Sequence, residues 1–344
     1  MEKITLTRPD DWHLHVRSGA ILATVIAHSA QQFARGMIMP NLKPPVCTVT
    51  EALHYREEIL RSLTAEHSFT PIMSLYLTNQ TSIADVKAVS DSEFVKAFKL
   101  YPAGATTNSD DGVAQLTSIY PLLDAMQEYD VPLLIHGEVT DPHCDIFDRE
   151  RMFIATQLSL IVQKFPALRI VLEHVTTADA VEFVLQQNAN VAATITPQHL
   201  LYNRNAILVG GIKPHYYCLP ILKRETHRQA LVKAATSGNP KFFLGTDSAP
   251  HLTHLKENSC GCAGCYSAPV AMELYAEVFA REQALDKLEG FASFYGADFY
   301  RLPRNQGSIT LHKHAWTVPA QYSVGEHSLT PLRAGDTLHW KVIQ

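Results

Sequence analysis

The chain has 344 residues, 46% hydrophobic and 18% charged, with a formal net charge of −5. That balance excludes a disordered chain and leaves no basic footprint for nucleic acid or an anionic membrane surface. No apolar run approaches the roughly 20 residues that a membrane span needs.

The opening segment MEKITLTRPDDWH lacks the charged-then-apolar pattern of a secretory signal, so the expectation is a cytoplasmic protein whose six cysteines are reduced. Short apolar runs rich in β-branched residues read as strands at 11–16, 36–39, 70–77, 94–101, 131–136, 169–174, 191–195 and 241–247. Helical periodicity occupies intervening stretches, among them 50–63, 115–129, 149–165, 177–187 and 226–237. Strands alternating with helices imply parallel βαβ units, and eight of them fit an α/β fold of the (β/α)8 TIM-barrel type. A doubly wound open sheet would normally carry a glycine-rich turn after its first strand. Here that strand ends in a histidine pair, and no G-x-G-x-x-G or P-loop occurs. After about Pro303 the pattern changes to short segments such as 315–318 and 337–342. The expectation is a single domain, 1–344, with 303–344 as a C-terminal extension packed on the barrel.

Seventeen histidines invite a search for clusters. His13 and His15 lie two apart on a predicted strand, so both face the same way and can reach one metal ion. Spacing alone carries little, because His312 and His314 repeat it in the tail. Position carries more, since barrel enzymes place catalytic residues at the C-terminal ends of their strands. His136 ends VPLLIH, His174 ends RIVLEH, Asp247 ends KFFLGTD, and Lys99 lies near the end of FVKAFKLY. Imidazole and carboxylate are zinc ligands, and a catalytic site keeps one position open for water. Four histidines and one aspartate exceed the needs of one tetrahedral ion and point to two, which can share a hydroxide and lower its pKa. A Lys99 ammonium beside two dications would be repelled. Carboxylation of its ε-amine by carbon dioxide would make it an anionic bridging ligand; the residues show the need for that change, not the change itself.

The series DWHLHVR, MPNLKPPV, KLYPAGATTNS, LLIHGEV, EHVTT, ATITPQHL, YCLPILK and GTDSAPH, running from about Asp10 to Pro269, closely resembles the dihydroorotases of the bacterial single-function type, within the amidohydrolase superfamily. The resemblance implies two Zn2+ ions per subunit. His13, His15 and Asp247 would hold the more buried ion, His136 and His174 the second, with Lys99 as an N6-carboxylysine bridging them. It implies reversible cyclisation of N-carbamoyl-L-aspartate to L-dihydroorotate in pyrimidine synthesis, with a hydroxide shared by the ions as nucleophile and Asp247 as general acid and base. Arg17, on the same strand face as His15, would meet the substrate carboxylate through two hydrogen bonds, completed by Asn41 and His251. Backbone groups near Leu219 and Ala263 would hold the ureide edge. The small, polar stretch 102–109 would be a lid whose Thr106 and Thr107 hydroxyls reach the substrate. A homodimer is a further implication of the family.

Cys260, Cys262 and Cys265, with Cys218 as the obvious fourth, suggest a metal knuckle; we expect reduced cysteines in a tight loop beside the active site instead. The alternatives are a hydantoinase or allantoinase with the same metal set, and a non-catalytic scaffold that has kept the barrel.

Overall fold

One residue from each of eight strands meets at the middle of the molecule: Trp12, Met37, Ile72, Ala97, Leu134, Val171, Ala192 and Phe243 belong to a single buried cluster. The computed structural model describes residues 2–343; Met1 and Gln344, the two ends of the expected domain, lie outside the described residues. After a first strand, β1 (Lys3–Thr7), come β2 (Asp10–Leu14), β3 (Arg35–Ile38), β4 (Thr70–Tyr76), β5 (Val95–Leu100), β6 (Leu133–Ile135), β7 (Ile170–Leu172), β8 (Val191–Ile195) and β9 (Phe242–Leu244). Strands β2 to β9 form one sheet in sequential order, every neighbouring pair parallel.

Two backbone bonds close that sheet into a barrel just beyond its last strand. The Asp247 amide donates to the His13 carbonyl at 2.8 Å, and the His15 amide to Ser248 at 2.9 Å. The approach depends on Gly245, where a Cβ would stand 2.7 Å from Thr194 Cβ and 3.0 Å from His13 Cβ. Closure therefore joins the two edges of the sheet through the residues expected to carry the chemistry.

All eight expected strands are present, and His136, His174 and Asp247 fall just past the ends of β6, β7 and β9. Helices such as Val49–Arg61 and Ala178–Gln186 start on Thr48 and Thr177, whose hydroxyls accept from backbone amides of the first turn. The helix expected at 149–165 is interrupted by a π-turn over Ile154–Leu158, where both the amide and the hydroxyl of Ser159 donate to the Ile154 carbonyl. Among the described residues no helix is long and apolar enough to cross a membrane.

In the tail, β10 (Ser308–Thr317) pairs antiparallel with both β1 and β13 (Thr337–Ile343), while β11 (Tyr322–Val324) and β12 (His327–Leu329) form a hairpin. Leu311 and Trp340 of this sheet are buried in the same apolar cluster as Leu14, Ile38 and Leu133 of the barrel strands.

Candidate metal centre

The polar strand ends converge at one mouth of the barrel. Between β2 and β3 the register shifts between Asp11 and Leu14, so Trp12 stays in the central layer while His13 and His15 face the mouth. His174 and Asp247 follow their strands with φ of 41° and 44°, and Arg17 with φ 60°. Left-handed backbone at non-glycine residues is costly and persists where the surroundings enforce it, commonly at functional sites.

The four imidazoles form a row. Ring centroids are 5.4 Å apart for His15 and His13, 4.9 Å for His13 and His174, and 4.8 Å for His174 and His136. Asp247 Oδ1 lies 3.2 Å from His15 Nε2 and 3.5 Å from His13 Nε2. These three side chains form the one cluster of three potential metal donors found among the described residues. Three of the rings have their other nitrogen occupied: His13 Nδ1 by Glu173 Oε2 at 2.8 Å, His15 Nδ1 by Asn41 Oδ1 at 2.8 Å, and His136 Nε2 by Glu138 Oε2 at 2.9 Å. In each case an acceptor takes one ring proton and leaves the opposite nitrogen free to ligate.

Burial lowers the pKa of His13, His15 and His174, which keeps these rings neutral and able to bind a metal. Lys99 is fully buried, and burial pushes its pKa down to about 8. Neither Lys99 Nζ nor His174 Nδ1 has a hydrogen-bond partner among the described residues. Buried polar atoms are seldom left so. Unpaired donors in a water-poor pocket of neutral imidazoles and a carboxylate are what a metal-binding site requires, so these residues fit the expected ions.

A narrow cavity of about 20 Å³ lies above this row. Its walls include His13, His15, His136, His174 and Asp247, and also Arg17, Asn41, Thr106, Thr107, Leu219 and Ala263. Arg17 directs Nε to the Pro250 carbonyl at 3.0 Å and Nη2 to His251 Nε2 at 3.1 Å. His251 Nε2 also lies 3.0 Å from the Ala263 carbonyl. Burial, aided by Arg17, lowers the His251 pKa to about 2, so the ring is neutral and its tautomer decides which neighbour it bonds. Asn41 differs from expectation in its partners. Its Oδ1 holds His15 and its Nδ2 donates to the Thr107 carbonyl at 3.1 Å, so the amide pins the 102–109 loop against the metal row.

A model of the amidohydrolase family matches residues 10–332 of the chain. The dihydroorotase of Acaryochloris marina is 62% identical over 343 residues, spanning 100% of this chain and 99% of its own. The chain belongs to the dihydroorotase branch of the amidohydrolase family. The crystal structure of the Saccharomyces cerevisiae dihydroorotase in complex with 5-fluoroorotic acid superposes with a TM-score of 0.92 at 34% identity, covering 100% of this chain and 99% of that one. The L-hydantoinase of Arthrobacter aurescens shares the fold, with a TM-score of 0.80, 14% identity and coverage of 98% of this chain and 82% of that one.

Within this dihydroorotase scaffold several residues at the mouth have no counterpart in the sequence reading. Asp11 accepts the Thr246 amide at 2.9 Å, the Thr246 hydroxyl at 2.5 Å and the His13 amide at 3.1 Å, fixing the closure between β2 and β9. Glu173 and Glu138 hold histidines. Each stands within two residues of a strand-end histidine, in EH and HGE, and that adjacency was the available signal. All six cysteines are free thiols, and no three of them meet as a donor cluster among the described residues.

Proposed function

We propose that the chain interconverts L-dihydroorotate and N-carbamoyl-L-aspartate, using two zinc ions held by His13, His15, His136, His174, Asp247 and a carboxylated Lys99. The observation that carries this reading is the buried Asp247 carboxylate against His13 and His15, in the same cavity as Arg17. Bound ions would supply a Lewis acid for the ring carbonyl and an acidified water.

The chain's own residues do the rest. In the hydrolytic direction Asp247 takes the proton of the attacking water on a carboxylate oxygen and returns it to the departing ring nitrogen. The water's oxygen ends on the carbonyl carbon, the ring C–N bond breaks, and the proton balance closes on nitrogen. In synthesis Asp247 takes the ureido proton instead. Arg17 holds the substrate carboxylate with the guanidinium protons left over from Pro250, beside His251 and the remaining amide proton of Asn41. Leu219 and Ala263 border the ureide edge, and Thr106 and Thr107 close over the ring to exclude water.

Six unpaired thiols support a cytoplasmic setting; the homodimer rests on the family. The decisive experiment is turnover of L-dihydroorotate, hydantoin and allantoin by zinc-loaded protein. Dihydroorotate should be much the fastest, and faster turnover of either of the others overturns the reading.

A further inference from the structure

Two buried glutamates at the mouth use their oxygens in opposite ways. Glu150 spends both on one loop: it accepts the amides and hydroxyls of Thr176 and Thr177, at 2.5 to 3.1 Å, and is satisfied throughout. Glu173 leaves Oε1 without a partner among the described residues and loads Oε2 with two donors. These are His13 Nδ1–H at 2.8 Å and the Thr194 hydroxyl at 2.5 Å. The Thr194 oxygen in turn accepts the His174 amide at 2.7 Å. One carboxylate oxygen therefore fixes the ring of His13 directly and the backbone of His174, at its φ of 41°, through a single hydroxyl.

β8 contributes no candidate ligand, yet Thr194 on it bonds both Glu173, which holds His13 of β2, and the amide of His174, which follows β7. A carboxylate kept only for stability is better placed where both oxygens are bonded, as in Glu150, because an unpaired buried oxygen costs stability. We propose that Glu173 is a positioning residue. With Thr194 it sets the tautomer of His13, so that Nε2 faces the ion, and locks the relative placement of His13 and His174, the histidines assigned to different ions.

The proposal rests on the metal assignment above but not on the substrate. A carboxylate behind a ligating imidazole fixes its ring and raises its basicity, and losing such a partner typically weakens metal binding by roughly 10- to 100-fold. The test is titration of metal-stripped protein with Zn2+ against a chromophoric chelator, together with the visible spectrum of the Co2+-loaded form. Glu173→Gln preserves shape and an acceptor for His13 but removes the charge, and Thr194→Val removes the hydroxyl link.

Both variants should lose affinity, Glu173→Gln by roughly 10- to 100-fold and Thr194→Val by less, with shifted Co2+ bands. Thr194→Ser should restore wild-type binding. Zn2+ affinity within two-fold of wild type and an unchanged Co2+ spectrum in Glu173→Gln would overturn the proposal. If Glu173→Gln does not fold, Thr194→Val decides by the same criteria. Tight ion binding without dihydroorotate turnover in the unaltered chain would sink the functional reading and leave this one standing.

Discussion

The two ends of the barrel bury charge in contrasting ways. At the floor, where the strands begin, Arg35 grips Asp10 with two bonds of 3.0 and 2.5 Å and sends its third nitrogen to the Pro303 carbonyl. Asn305 adds a further donor to Asp10 at 2.8 Å, and the buried Arg169 is satisfied by the exposed Asp130 carboxylate at 2.7 Å, the Asp130 carbonyl at 2.7 Å and the Phe299 carbonyl at 2.8 Å. At the mouth Lys99 Nζ, His174 Nδ1, Glu173 Oε1 and Glu138 Oε1 are buried without partners among the described residues. The floor fastens the segment 299–305 beneath the strands, and its charges are saturated. The mouth keeps donors in reserve, which lowers stability in the metal-free chain and leaves ligands ready. This division matches the general separation of stability and chemistry between the faces of such barrels.

Removing the proton carrier should separate the two ends most clearly. Asp247→Asn should lower kcat for dihydroorotate by roughly 10²- to 10⁴-fold or more, because it removes an acid–base group. Its unfolding midpoint should stay close to that of the unaltered protein, since no floor contact changes. Near-normal turnover would show that Asp247 carries no proton.

The converse change is at the floor. Arg35→Met strands the buried Asp10 carboxylate and should cost about 3–5 kcal/mol in denaturant unfolding. Adding Asp10→Asn should recover part of that loss, because the uncompensated charge is gone. A cost below about 1 kcal/mol, as for an exposed pair, would mean that the floor is not the stabilising end.

The barrel was legible because each strand is a short apolar run, five of them carrying a polar residue at or near the end, a local pattern. The ligand candidates were legible for the same reason: His136, His174 and Asp247 end their runs, and Lys99 lies near the end of its own. What the sequence could not disclose is non-local. β1 pairs with β10 across some 300 positions, Leu6 opposite Ile309, and nothing near either strand announces the other. The second nitrogen of each imidazole is equally hidden. His13 finds Glu173 and His15 finds Asn41 only after the barrel closes, and so Asn41 was read for the substrate alone. The π-turn at 154–158 escaped because 3.6-residue periodicity tolerates one extra residue.

The smallest effect gives the sharpest contrast. In metal-free protein the Lys99 pKa falls from 10.5 to about 8 because burial disfavours its ammonium. A lysine with a depressed folded-state pKa adds stability that is present above pH 10.5 and lost as pH falls through about 8. At pH 7 the chain therefore folds around an unwelcome charge, at a cost of roughly 3 kcal/mol or less. Lys99→Met keeps the stem volume and removes that charge. The stripped variant should be more stable than the stripped parent at pH 7, and the advantage should shrink by pH 10. At the same time it should lose the ion pair-up that Lys99 would bridge, read as fewer zinc ions retained per chain. Arg35→Met and Lys99→Met each delete one buried cation, yet their stability changes at pH 7 should have opposite signs. Destabilisation of the stripped Lys99→Met protein at pH 7 would mean that Lys99 is paired after all, and the contrast between floor and mouth would fail.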